Sequence, residues 1–167
     1  MGTKIAELMT ERPRAVEPQT PVQEAARLME FEDVGSLPVV EQGARLVAIV
    51  TDRDIAIRVV GRGLDPQTTT VGEIASGELV TLTPEHELDE ALTLMARAQV
   101  RRLPIVIGEN ELVAMLSQAD LAALGKEKLT GEVVGAISQP PRGPRVEGSS
   151  AGADRGFDEP PLPQDRR

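Results

Sequence analysis

The chain repeats itself. Leu46 to Ala56 reads LVAIVTDRDIA, and 66 residues on from Leu46 a second stretch, Leu112 to Ala122, reads LVAMLSQADLA. Each is a short aliphatic run that turns polar at Thr51 or Ser117 and then becomes amphipathic, the pattern of a buried strand running into a helix. The same offset, with no gap, pairs Ile5 with Val71, Val16 with Leu82, Pro18 with Pro84, Leu28-Met29 with Leu94-Met95 and Leu37-Pro38 with Leu103-Pro104. One structural unit is therefore used twice, and any fold assigned to the chain has to be a fold of two similar halves.

Composition narrows the chemistry. The aliphatic content is ordinary, but Phe31 and Phe157 are the only aromatic residues, so the core is built from Leu, Val, Ile, Ala and Met. The absence of cysteine excludes a disulfide framework, a thiolate metal site and a cysteine nucleophile. A formal net charge of -9 argues against nonspecific nucleic-acid binding, which needs a positive surface. No apolar run is long enough for a membrane span, and the N-terminal MGTKIAELMTERPR lacks a signal-peptide hydrophobic region. A cytoplasmic protein is expected.

In chain order, Lys4 to Met9 reads as a short helix ended by Arg12-Pro13, because the residue before proline is pushed out of the helical region. Ala15-Val16 reads as a brief strand. Thr20-Pro21-Val22-Gln23 has the grammar of a helix start with Thr20 as N-cap, and the apolar stripe runs to about Glu32. Strands at Leu37 to Val40 and Arg45 to Val50 follow, then a helix from about Asp52 to Val60. The second half repeats this with a short helix at Val71 to Ala75, a strand near Val80 to Leu82 and a helix at Leu88 to Ala98. Strands at Leu103 to Ile107 and Leu112 to Leu116 and a helix from Gln118 complete it. The units are thus residues 1–63 and 71–125, with a linker at 64–70, one more helix at 126–138, and a tail at 139–167 whose Pro, Gly, Ser and charge predict disorder.

The element order, the SLPVV and RLPIV strands and the LVAIVTDRDI junction make the chain resemble a tandem cystathionine-β-synthase (CBS) domain pair, in particular the stand-alone bacterial hypoxic-response type. The resemblance implies an α+β fold of two pseudo-symmetric β-α-β-β-α repeats, each a small three-stranded sheet with helices. It also implies two clefts between the halves that take adenosyl ligands, and association into homodimers. AMP, ADP, ATP, NAD and S-adenosylmethionine are the candidate regulatory ligands, and no obligatory cofactor is implied. A regulatory module that signals to a protein partner by altered packing is the function that follows, with a structural or stress-associated interaction protein whose clefts stay empty as the alternative.

Specific residues carry the implied site. The ribose-binding positions of the family fall on Thr51 and Asp54 and on Ser117 and Asp120, where one carboxylate can accept both hydroxyls of a diol. Val16, Pro18, Leu82 and Pro84, with Leu37, Pro38, Leu103 and Pro104 of the LPV-type strands, would enclose the adenine. Arg101 and Arg102, with Arg53, are the candidates for phosphate, and Gly35 and Ser36 stand at the equivalents of the first two. Blander readings stand beside these: Thr51 with Asp54 and Ser117 with Asp120 also have capping-box spacing, Arg101 and Arg102 also suit a solvated pair, and Arg53 also suits a dimer contact. His86, at the position of Thr20, is read as a surface or capping residue, and Met29, Met95 and Met115 as core packing. The sequence shows no nucleophile-base pair, P-loop or metal-ligand cluster, which argues against an enzyme.

Overall fold

The computed structural model describes residues 3–122 and 135; the helix expected at 126–138 and the tail at 139–167 lie outside the described residues, apart from residue 135. In chain order the elements are a 3-10 turn (Ile5–Glu7), β1 (Thr10–Glu11), α1 (Val22–Phe31), β2 (Ser36–Glu41), β3 (Arg45–Thr51) and α2 (Asp52–Asp54). After α2 the helical path continues as a π-type turn (Ile55–Val59) and a 3-10 turn (Val60–Arg62). The second half holds α3 (Val71–Ile74), α4 (Leu88–Ala98), β4 (Arg102–Ile107), β5 (Glu111–Ser117) and α5 (Gln118–Ala122).

Each half is built on a hairpin. In the first, Gln42 and Gly43 take φ of 51° and 88°, the left-handed conformation that a tight connection between twisted strands requires. The two ladders match residue for residue at the sequence offset. Leu37 faces Val50 and Leu103 faces Leu116, and both ladders slip once, between Val39 and Val40 and between Ile105 and Val106. Pro38 and Pro104 have no N–H to give, but their carbonyls accept from Val16 and Leu82 at 3.0 Å. Those two contacts, with the parallel bridges Val16 to Val39 and Leu82 to Ile105, are what the strands expected around Val16 and Leu82 amount to.

Helix starts differ from the sequence expectation in one place. α1 begins at Val22 with Pro21 as its N-cap, and the Thr20 hydroxyl instead accepts from the Glu17 N–H at 3.1 Å. The first amides of α1 are satisfied by the linker: Val22 N–H donates to the Thr69 carbonyl and Gln23 N–H to that of Pro66, both at 2.9 Å. His86 stands in for Thr20 in the second half, its Nδ1 accepting from the Thr83 N–H at 3.0 Å. A capping box between Glu87 and Glu90 then opens α4.

The sequence unit and the packing unit are not the same. Ile5, at the head of the first repeat, is fully buried among Leu82, Leu88, Met95, Leu103 and Leu116 of the second. Val71 and Ile74, at the head of the second, are buried among Val16, Val22, Leu37 and Val50 of the first. Backbone bonds fix the exchange in both directions. Ile5 N–H donates to the His86 carbonyl and Ala6 N–H to that of Pro84; Val71 N–H donates to Thr20 and Gly72 N–H to Pro18. A Cβ at Gly72 would lie 3.1 Å from the Pro18 carbonyl oxygen, so the close approach there favours glycine. α3 is itself held by a capping box, in which the Thr70 N–H pulls the Glu73 carboxyl below its ordinary pKa.

After the exchanged turn, β1 adds to the sheet of the other repeat, Thr10 opposite Met115, as Ser76 does opposite Ile49. The two hairpins also meet directly at their tips. Leu46 N–H donates to the Asn110 carbonyl and Leu112 N–H to that of Ala44, both at 2.9 Å, a pair related by the same offset. Truncating Ile5 should therefore destabilise a repeat to which it does not belong in sequence. Ile5→Ala is expected to cost about 2–5 kcal/mol, measured by urea unfolding, and a cost below about 1 kcal/mol, the range of well-tolerated volume-conserving core changes, would refute the exchange.

Candidate functional site

Two capping boxes stand at the strand-to-helix junctions. Asp54 Oδ2 accepts from the Thr51 N–H at 3.0 Å and from the Thr51 hydroxyl at 2.7 Å, while Thr51 Oγ1 accepts from the Asp54 N–H at 3.1 Å. Asp120 Oδ2 accepts from the Ser117 N–H at 2.7 Å and from its hydroxyl at 2.6 Å, and Ser117 Oγ accepts from the Asp120 N–H at 3.2 Å. One oxygen of each carboxylate is thus committed to its own helix start. The other, Oδ1, is where the two junctions part. Asp54 Oδ1 lies 3.6 Å from Arg58 Nε, whose guanidinium also donates to the Ile74 carbonyl of α3. Among the described residues, Asp120 Oδ1 takes one hydroxyl contact, from Thr10 at 3.3 Å, long for an O–H···O bond.

The Asp120 junction opens into a cleft of about 340 Å³ between the repeats. Its walls are Arg102, Met115 and Ser117 from the second hairpin with Asp120 of α5, Ser36, Leu37 and Pro38 from the first hairpin, and Glu32 and Val34 just after α1. Thr10, Arg12, Pro13 and Arg14, the stretch that crosses from one core to the other, close the remaining side. Two carboxylates, three guanidinium groups and an apolar strip meet in one concave space, the composition of a site for a polar ligand with an apolar part. Arg14 Nε is 3.2 Å from Glu32 Oε1 in a largely exposed pair.

Of the residues singled out from sequence, Ser117, Asp120, Arg102, Leu37 and Pro38 come together in this cleft. Thr51, Asp54, Arg53, Arg101, Pro18, Pro84 and Pro104 do not line it. Arg53 and Arg101 are exposed, and the Arg101 carbonyl accepts from the Gln118 N–H at 3.0 Å. Leu82 and Leu103 are packed in the core of the second repeat, 1% and 0% exposed. Val16 lines a second hollow of about 440 Å³ along α1, with Glu17, Thr20, Arg27 and Phe31. Met115, expected in the core, is half-buried and forms part of the cleft wall, whereas Met29 and Met95 are buried. The sequence reading missed Arg12 and Arg14. Arg12 takes φ of 54° and reaches the cleft because the chain turns there before Pro13, a turn that the proline signals but that was read only as the end of a helix.

The CBS domain model matches this chain twice, over residues 5–61 and 71–127. The chain belongs to the CBS domain family. It is a CBS pair, with the two repeats that the offset and the hairpins describe. The CBS domain-containing protein YhcV of Bacillus subtilis is 46% identical over 120 residues, which cover 72% of this chain and 84% of YhcV. Hypoxic response protein 1 of Mycobacterium tuberculosis is 39% identical over 70% of this chain and 80% of its own length. A crystal structure of Hypoxic Response Protein I with two coordinated zinc ions superposes with a TM-score of 0.67 at 35% identity, over 72% of this chain and 98% of that one. CBSX2, solved in complex with AMP, shares the fold with a TM-score of 0.66 at 23% identity, over 76% of this chain and 98% of its own. This CBS pair has one histidine and no cysteine, and no group of three potential metal ligands occurs among the described residues.

The capping boxes are structural whatever else they do. Ser117→Ala is expected to cost about 0.5–2 kcal/mol of stability, read as a lowered urea midpoint, because it strips the Asp120 N–H of its acceptor. An unchanged midpoint would mean that the junction is held by other contacts.

Proposed function

We propose that this CBS pair is a regulatory module that senses an adenine nucleotide or another adenosyl ligand in the Asp120 cleft and passes its occupancy to a protein partner through altered packing. The observation that carries this reading is the convergence of Asp120 and Ser117 with Arg12, Arg14 and Arg102 beside Leu37 and Pro38. A ribose diol donates to a carboxylate through two charge-assisted bonds, each contributing about 1.5–3 kcal/mol. Asp120 Oδ1, which among the described residues carries only the Thr10 hydroxyl contact, takes the first, and rotation of the Ser117 hydroxyl frees a lone pair of Oδ2 for the second. The apolar strip suits the base and the guanidinium groups suit anionic substituents. Because the crossing stretch forms one wall of the cleft and also ties the two cores together, a ligand pressing on that wall acts on both repeats. It shifts the packing only by its difference in affinity for the two arrangements.

A second reading, an interaction protein whose clefts stay empty, draws on the closed capping boxes, which already engage one oxygen of each carboxylate. Thermal unfolding against AMP, ADP, ATP, NAD, S-adenosylmethionine and a guanine nucleotide separates the two. A ligand at about a hundred times its dissociation constant adds roughly 2.7 kcal/mol, a shift of several degrees. The sensor reading expects an adenosyl-specific shift that Asp120→Asn abolishes; no shift with any of them favours the interaction protein.

Association into homodimers fits the same module. Phe31, Ile57 and Val60 are large apolar side chains left exposed, Phe31 to 79% and Val60 to 73%, and a second copy would cover them. Light scattering is expected to give twice the 17.9 kDa chain mass, falling to that of one chain in Phe31→Ser with Val60→Ser; a monomer in the unmodified protein refutes it.

A further inference from the structure

We infer that the two junctions are not equivalent sites: the chain takes one ligand, an adenosine bearing a phosphate chain, at Asp120, while the corresponding place at Asp54 is held shut by Arg58. This rests on the reading that the cleft takes an adenosyl ligand and narrows it to a class and a stoichiometry.

The first support is the state of the two carboxylates. Asp54 Oδ1 is paired with the Arg58 guanidinium, and that guanidinium is held at its other end by the Ile74 carbonyl of the exchanged α3. Asp54 is 16% and Arg58 39% exposed, so the pair is half-buried, and the second bond of the guanidinium to the Ile74 carbonyl keeps it over the carboxylate. At the same offset from Asp120 the chain carries Leu124, which has no cation to offer. Among the described residues, a diol arriving at Asp120 displaces one hydroxyl contact, from Thr10; a diol arriving at Asp54 has to displace a guanidinium that the Ile74 carbonyl also holds.

The second support is charge. The Asp120 cleft is lined by Arg12, Arg14 and Arg102 against Glu32 and Asp120. Moved by the repeat offset, the three arginine positions become Glu78, Val80 and Ser36, and Glu32 becomes Ala98. Three cations line the Asp120 place; at the Asp54 place the offset leaves one, Arg102 at the equivalent of Ser36, and Glu78 is an added anion. A phosphate chain is attracted more strongly to the first place than to the second. The Arg14 to Glu32 pair is the more open of the two ion pairs, Arg14 67% and Glu32 29% exposed, so Arg14 turns to a phosphate at modest cost.

Isothermal titration calorimetry on the full chain with adenosine, AMP, ADP and S-adenosylmethionine tests this. One site per chain is expected, with affinity rising roughly three- to tenfold for each phosphate added, as exposed charge-assisted bonds allow, and with S-adenosylmethionine weaker than ADP. Arg14→Gln combined with Arg102→Gln should flatten the phosphate series while adenosine still binds. Arg58→Leu, which copies the residue of the other half, should raise the adenosine stoichiometry from one to two. Two sites in the unmodified chain, a flat series, or a stoichiometry of one in Arg58→Leu would each overturn the inference while leaving an adenosyl sensor. Failure of every adenosyl compound to bind would remove both the inference and the sensor reading.

Discussion

Ile5 is covalently part of one repeat and packs as part of the other, and the remaining architecture depends on that arrangement. Burying a side chain of this size contributes about 1.5–3 kcal/mol, and Val71 with Ile74 makes the return contribution to the first core. Neither hydrophobic cluster is complete within its own stretch of sequence. The backbone bonds from Ile5 and Ala6, mirrored by those from Val71 and Gly72, make the exchange specific in register as well as favourable in burial. The cleft is a by-product of the exchange. A segment that starts in one core and returns to the other has to cross the gap between them, and β1 with Arg12-Pro13-Arg14 is that crossing, so it becomes a wall.

A scaffold so nearly symmetric would be expected to present two similar sites. The ladders, bulges, bridges and capping boxes do repeat at the same offset, because hydrophobic pattern and backbone pairing tolerate exchanges of one aliphatic residue for another. Charge has no such constraint on the surface. Arg12 against Glu78, Arg102 against Ser36 and Arg58 against Leu124 alter the chemistry of each junction without disturbing the fold beneath it. Duplication supplied two copies of the frame, and substitution at a few polar positions gave each copy a different electrostatic environment.

The frame was legible in the sequence for the same reason. Uninterrupted aliphatic runs and helical patterns located all four long strands and both long helices, α4 to the residue, since burial dictates those patterns. The [ST]-x-x-D spacing identified Ser117 with Asp120, and the capping boxes follow from that spacing alone. Three things were hidden. The exchange was hidden because Ile5 and Val71 are interchangeable apolar residues, and nothing in either name says which core it enters. The role of Thr20 was hidden because an S/T before proline suits a cap and a tight turn equally, and the turn to Glu17 won. Arg12 and Arg14 were hidden because their position depends on the crossing, a long-range feature. The repeat alignment contained a usable signal: an arginine opposite Glu78 and another opposite Val80 were breaks in an otherwise conservative pattern.

The burial of Ile5 also sets the order in which the chain can fold as it emerges during synthesis. The first core lacks two of its buried side chains until Val71 and Ile74 have left the ribosome, and the second must keep a place for a residue made more than a hundred positions before Leu121. Contacts of such long sequence separation are slow to close because their loop entropy has to be met before any burial compensates for it. The N-terminal segment therefore waits, with Ile5 exposed, until the second unit exists, whereas the first core can close once Ile74 has emerged, so the two cores are completed in turn along the chain.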